Sequence, residues 1–187
     1  MPVGLLERYC ADGSACELNV SERLPGVEGT FGSLGQGLSV GVGMALAGKL
    51  DAARWRVYVV LGDGELQEGQ VWEAAMAAAT HRLDNLCMII DWNQMQVEGH
   101  VDKVHRMEPV LAKFEAFGWY GAEVDGHSLP EIFGALASAR TMVDRPTVIL
   151  ARTKVGKGVP VLEGVCSHNM RLPADVAQRA LSELGGR

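Results

Sequence analysis

Asp63 offers a hard anionic oxygen, and Asn93, thirty positions further on, a neutral amide oxygen. Two such oxygens and one backbone carbonyl suit Mg²⁺, which prefers oxygen ligands and leaves the rest of its shell to water and phosphate. Gly64 follows Asp63 directly. Having no Cβ, it lets a backbone N–H approach an anion closely, just before a helix start that favours negative charge. An Asp-Gly pair in isolation is usually a strand-ending turn. The distance to Asn93, with an apolar run before each residue, shifts the reading to a cradle for a metal and a diphosphate.

The elements that must position these residues are legible around them. Val57 to Leu61 is an apolar, β-branched run that reads as a buried strand, and Gly62-Asp63-Gly64 ends it. Gln67 to Arg82, rich in Ala and Glu, reads as a helix. Leu86 to Ile90 is a second apolar run, closed by Asp91-Trp92-Asn93. Strand, helix and strand at this spacing make a βαβ unit with parallel strands. The fold class is therefore α/β, a parallel sheet flanked by helices, with Asp63 and Asn93 at the edge where open α/β sheets bind ligands.

The rest of the chain is punctuated in the same style. A short helical piece is expected at Leu5 to Cys10, and helices at Leu34 to Leu50, Glu108 to Phe117, Leu129 to Met142 and Pro173 to Leu184. Trp119 to Val124 and Thr147 to Ala151 read as further strands. Ser128 can cap the helix that follows it, and Gly41 and Gly43 read as close-packing positions. Gly35-x-Gly37 does not make a dinucleotide fingerprint, because Val40 stands in the third glycine's place and no strand precedes it. Gly156-Lys157-Gly158 likewise lacks the order of a nucleotide loop. Trp72 reads as a packing residue, His81 as a helix-end residue, His127 as structural, and His100 and His105 as solvated loop residues.

With 187 residues, 48% of them hydrophobic and 21% charged, the chain can bury one core. A formal net charge of −6 with scattered Lys and Arg excludes a nucleic-acid face. No apolar run approaches a membrane helix, and Met-Pro-Val-Gly-Leu-Leu-Glu-Arg does not follow a signal peptide's pattern. Cys10, Cys16, Cys87 and Cys166 have no metal-ligand spacing, so reduced thiols and a cytoplasmic setting are expected.

Gly62-Asp63-Gly64, Glu68-Gly69, Trp72-Glu73-Ala74, Leu83-Asp84-Asn85-Leu86 and Asp91-x-Asn93 together resemble the thiamine diphosphate motif of the transketolase family. The resemblance extends to Gly32-Ser33-Leu34-Gly35-Gln36-Gly37 and Lys154-Val155-Gly156-Lys157-Gly158-Val159, and is strongest to the amino-terminal half found as a separate subunit in split transketolases. It implies a thiamine diphosphate-binding domain of the pyrophosphate type over residues 1–187, shortened at its N-terminus. Asp63, Asn93 and the Met95 carbonyl are the implied ligands of Mg²⁺ (or Ca²⁺ or Mn²⁺). Gly32, Ser33, Leu34, Asp63, Gly64, Glu65, Asn93, Met95 and His168 form the implied cofactor-binding set. The resemblance gives His168 proton transfer and oxyanion stabilisation, and Glu68 the coupling of paired active sites.

The family's Gly-His-Pro is replaced here by a segment around Glu17-Leu18-Asn19-Val20, and Cys166 and Asn169 depart from the pattern around His168. The implied activity is transfer of a two-carbon ketol unit between sugar phosphates or related small molecules. It would need a carboxy-terminal subunit carrying the pyrimidine domain, in an α2β2 heterotetramer. Two alternatives stand beside it: a specialised acyl or ketol transferase using an α-keto acid donor, and a non-catalytic scaffold subunit.

Overall fold

The computed structural model describes residues 3–19, 21–165, 168 and 171–185. Its strands are β1 (Val57–Gly62), β2 (Leu86–Trp92), the two-residue β3 (Met95–Gln96) and β4 (Gly99–His100), β5 (Tyr120–Asp125) and β6 (Thr147–Arg152). The helices are α1 (Gln36–Leu50), α2 (Gly69–Thr80), α3 (Val101–Val104), α4 (Val110–Phe117), α5 (Leu129–Thr141) and α6 (Ala174–Gly185). Short 3₁₀ turns cover Val3–Arg8 and Gly64–Gln67.

Four strands form one parallel sheet in the order β1-β2-β6-β5, while β3 and β4 pair as a small antiparallel hairpin. The central strands β2 and β6 read Leu-Cys-Met-Ile-Ile and Thr-Val-Ile-Leu-Ala, the continuous apolar runs of strands covered on both faces. The pleat sorts their side chains. Leu86, Met88, Ile90, Val148 and Leu150 face a core with α1, α2 and α4, where Trp72 stacks on Phe114 at 5.0 Å between ring centroids. Cys87, Ile149 and Ala151 point the other way, against Ala135 and Ala139 of α5. Burial pushes the Cys87 thiol up to about 11, and Cys10, Cys16 and Cys87 are free thiols.

The expected βαβ unit is present, with three differences. First, β1 is buried on one face only: Tyr58 is 47% and Val60 66% exposed, because β1 is an edge strand and α5 packs over β5 and β6. Second, the single helix expected from Gln67 to Arg82 breaks at Glu68, whose extended backbone (φ −80°, ψ 126°) separates the 3₁₀ turn from α2. Third, α4 begins at Val110 rather than Glu108, since Pro109 is extended (φ −80°, ψ 122°).

Smaller corrections concern side chains. Ser128 stands at the start of α5 without a side-chain cap bond, while the Glu131 carboxylate accepts the Asp125 N–H at 2.8 Å. A Cβ on Gly41 would lie 2.5 Å from Val59 Cγ2, so Gly41 is a close-packing position; Gly43 has nothing within 4 Å and is not. His100 caps α3 from the position before it, its ring Nδ1 accepting the Asp102 N–H at 3.3 Å. Among the described residues no helix is long and apolar enough to cross a membrane.

Candidate functional site

Because the four sheet strands are parallel and nearly in step, their carboxyl ends leave the sheet along one edge. Gly62 pairs with Asp91, Trp92 with Arg152, and Asp125 with Arg152. Asp63, Asn93, Thr153 and the Gly126-His127 turn are thereby brought to the same side. A groove of about 490 Å³ opens there, lined by Asp91, Asn93, Met95, Thr153, Lys154 and His168 among others.

Asp63 is 1% exposed. Its Oδ1 accepts the Gly64 N–H at 2.7 Å, while Oδ2 is buried with no hydrogen-bond partner among the described residues. Burial pushes its carboxyl up to about 6. The backbone N–H groups of Gln94, Gly64 and Met95 oppose the rise, and the neighbouring Asp91 adds to it. The Gln94 and Met95 N–H dipoles therefore bear on the Asp63 carboxylate, and the segment after Asn93 closes over it.

That segment is held from several sides. The Asn93 amide oxygen accepts the Met95 N–H at 2.9 Å, and its Nδ2 donates to Asp91 Oδ2 at 3.1 Å. The Thr153 hydroxyl donates to Asp91 Oδ1, and the Thr153 N–H to the Trp92 carbonyl at 3.2 Å. Gln94 adopts a left-handed backbone (φ 63°), an uncommon conformation for a residue with a side chain. Its carbonyl accepts the Val101 N–H at 3.0 Å, and its Oε1 lies 3.0 Å from His100 Nε2. Since His100 Nδ1 is an acceptor, Nε2 carries the proton and donates to Gln94. Met95 pairs with His100 across the hairpin.

Gly64 stands between Asp63 and the β3–β4 hairpin. Its N–H goes to Asp63, the 3₁₀ turn it opens spans only Gly64–Gln67, and the space of a Cβ is taken by Gln96 Cβ at 2.7 Å. The missing side chain therefore admits the β3–β4 hairpin. Glu65 has both oxygens occupied, by the Gly35 N–H at 2.8 Å and the Gly62 N–H at 3.2 Å. It is a clasp that ties the Gly32-Ser33-Leu34-Gly35 turn to the tip of β1. Gly32, Ser33 and Leu34 are exposed on that turn, and a Cβ on Gly32 would sit 3.1 Å from the Asn19 amide. Glu68 is exposed at the start of α2, outside the groove.

His168 is exposed and lines the groove; Cys166 and Asn169 lie outside the described residues. His127 also lines the groove, and its Nε2 accepts the Lys154 N–H at 2.9 Å. His81 ends α2. Sequence reasoning missed Asp91, Thr153 and Lys154 as groove residues. Their signal is the expected strand ending near Ala151, whose carboxyl end a parallel sheet must bring beside Asn93.

A family profile described as transketolase, thiamine diphosphate binding domain, matches residues 13–186. The 6-deoxy-6-sulfo-D-fructose transketolase subunit of Clostridium sp. (strain MSTE9) is 41% identical over 188 residues, 98% of this chain and 67% of that protein. An apulose-4-phosphate transketolase subunit of Phocaeicola vulgatus is 38% identical over 190 residues, again 98% of this chain and 68% of that protein. A crystal structure of transketolase from Campylobacter jejuni matches with a TM-score of 0.85 at 34% identity, over 97% of this chain and 30% of that one. The chain thus spans about two thirds of the two relatives' length and under a third of the solved transketolase. The strand-end pair Asp63 and Asn93, the parallel sheet beneath them and these matches agree: the chain belongs to the transketolase family, as its thiamine diphosphate-binding domain.

Proposed function

We propose that the whole of residues 1–187 is the thiamine diphosphate-binding domain of a two-component transketolase, moving a two-carbon ketol unit between sugar phosphates or related small molecules. One observation carries the reading: the buried, unpartnered Oδ2 of Asp63 beside the Asn93-Gln94-Met95 segment. A buried carboxylate oxygen that accepts no hydrogen bond of its own is costly unless a cation meets it. Among the described residues no three His, Cys, Asp or Glu cluster as a metal site. One carboxylate, one amide oxygen and one carbonyl leave half of an octahedral shell to phosphate and water, as suits Mg²⁺. Asp63, Asn93 and the Met95 carbonyl would hold Mg²⁺, with Ca²⁺ or Mn²⁺ as substitutes.

When bound, thiamine diphosphate supplies a nucleophilic carbon and an electron sink. The chain's own residues do the rest. The Gly32-Ser33-Leu34 turn, fixed by Glu65, presents backbone groups to the aminopyrimidine. His168 at the groove rim passes a proton to or from the reacting groups. Glu68, exposed at the α2 start, meets a second subunit. The pyrimidine-side carboxylate comes from a carboxy-terminal subunit in an α2β2 assembly, in line with two relatives that are named as subunits.

The test is calorimetry with Mg²⁺ and thiamine diphosphate on the chain with that subunit, followed by product analysis. Metal-dependent heat and ketol transfer from a ketose phosphate are expected. Transfer from pyruvate instead would assign an α-keto acid donor, and absence of heat would leave a scaffold. Full turnover by the isolated chain would refute the two-component reading.

A further inference from the structure

One wall of the groove is built from a loop with an unusual density of internal bonds. Glu163 accepts the Lys154 ammonium at 2.7 Å on Oε2 and the Gly158 N–H at 3.1 Å on Oε1. The Gly164 N–H donates to the Val155 carbonyl at 2.9 Å, which closes the loop on itself. Inside it, Val159 N–H reaches Gly156 O at 3.0 Å and Leu162 N–H reaches Val159 O at 2.8 Å. Gly156 has φ 68°, and a Cβ there would lie 2.5 Å from the Leu162 carbonyl oxygen. Lys154 is anchored at its other end too, its N–H donating to His127 Nε2 at 2.9 Å. Lys154, Val155 and Gly156 line the groove with His168.

We propose that Glu163 is a positioning residue for this groove: it latches residues 154–164 into the wall that stands beside Asn93 and His168 and holds the Lys154 ammonium at the rim. A single exposed ion pair is worth little. Glu163 differs because one carboxylate joins a side chain at the loop's start to a backbone N–H at its middle, and such charge-assisted bonds are the stronger kind. These bonds hold the Glu163 carboxyl down to about 2, the Lys154 contact contributing most and the Gly158 N–H next. The charged latch is therefore complete above the ordinary Glu range near pH 4.5 and opens only as pH falls toward 2. Lys154 is the one Lys or Arg among the described groove-lining residues. An anion entering the groove meets a cation whose place is already set. That last step rests on the proposed cofactor function.

The test compares the full chain with Glu163→Gln and with the exchanged pair Lys154→Glu plus Glu163→Lys. Amide hydrogen exchange is followed at residues 155–164, the His168 imidazole resonance is recorded, and Mg²⁺ with thiamine diphosphate is titrated with the carboxy-terminal subunit present. Glu163→Gln is expected to speed exchange at Gly158 and Gly164 roughly tenfold, the loss of one charge-assisted bond. It should also shift the His168 resonance and weaken cofactor binding by a similar factor, with the melting temperature nearly unchanged. The exchanged pair should restore protection at Gly164 but not at Gly158, because lysine has no acceptor for that N–H. Unchanged exchange in Glu163→Gln would overturn the latch. Faster exchange with His168 and cofactor binding both unmoved would make the loop merely structural and overturn the positioning role. A wild-type chain that takes no cofactor even beside its carboxy-terminal subunit would sink the proposed cofactor function, while exchange and the His168 resonance would still decide the role of Glu163.

Discussion

Asp63 carries the largest tension between folding and use. Its carboxyl lies at about 6 in the folded chain against 3.8 for an unperturbed group, so the folded state holds the proton more tightly than the unfolded one. The contribution to metal-free stability is complete below pH 3.8 and is lost as pH rises through 6. The difference amounts to at most about 3 kcal/mol at neutral pH. Asp63→Asn keeps an oxygen for the Gly64 N–H and removes the stranded charge. It should melt higher than wild type at pH 7.5 without metal, by several degrees, and the gap should shrink at pH 5. The same variant should lose the thermal stabilisation that Mg²⁺ plus thiamine diphosphate gives the wild type. A wild-type-like response to cofactor in Asp63→Asn would remove Asp63 from the metal site. Residue type and spacing make Asp63 readable in the sequence; its missing partner is not, because solvent exclusion depends on the hairpin folding over it.

Among elements, α1 and β1 show how small residues set distance. Gly41 lets the helix backbone settle against Val59, and Gly41→Ala would place a methyl 2.5 Å from Val59 Cγ2. Such overpacking costs roughly 1–3 kcal/mol, read as a lower urea midpoint at unchanged m-value. Gly43→Ala meets no atom within 4 Å and should gain about 0.5–1 kcal/mol from helix propensity. Equal effects at the two positions would contradict the packing described. In the sequence the two glycines look alike. Both sit in the same small-residue stretch, and which one faces the sheet follows from the helix's rotation on it. The Glu65 clasp is equally hidden, since its partners Gly35 and Gly62 come from a distant turn and a strand end.

For the molecule as a whole, the open edge of β1 stands out. Among the described residues its backbone pairs on one side only, its sequence Val-Tyr-Val-Val-Leu-Gly has no charge or proline to blunt it, and a groove of about 700 Å³ runs along it past Phe31, Val40 and Trp55. Unprotected edges of this kind promote strand-to-strand association. Val60→Lys, at a position 66% exposed, should lower concentration-dependent light scattering with little change in melting temperature. Unchanged scattering would show that the edge is already guarded. The sequence by itself determined the α/β class, the βαβ unit and the strand-end positions of Asp63 and Asn93, because apolar periodicity and glycine turns are local properties. Only the tertiary structure decided that Asp91, Thr153, Lys154 and His168 share a groove with Asn93, that Gly64 makes room for Gln96, and that Glu163 and Glu65 act as clasps. Those facts depend on strand order and loop closure, which join residues far apart in the chain and leave no local trace in it.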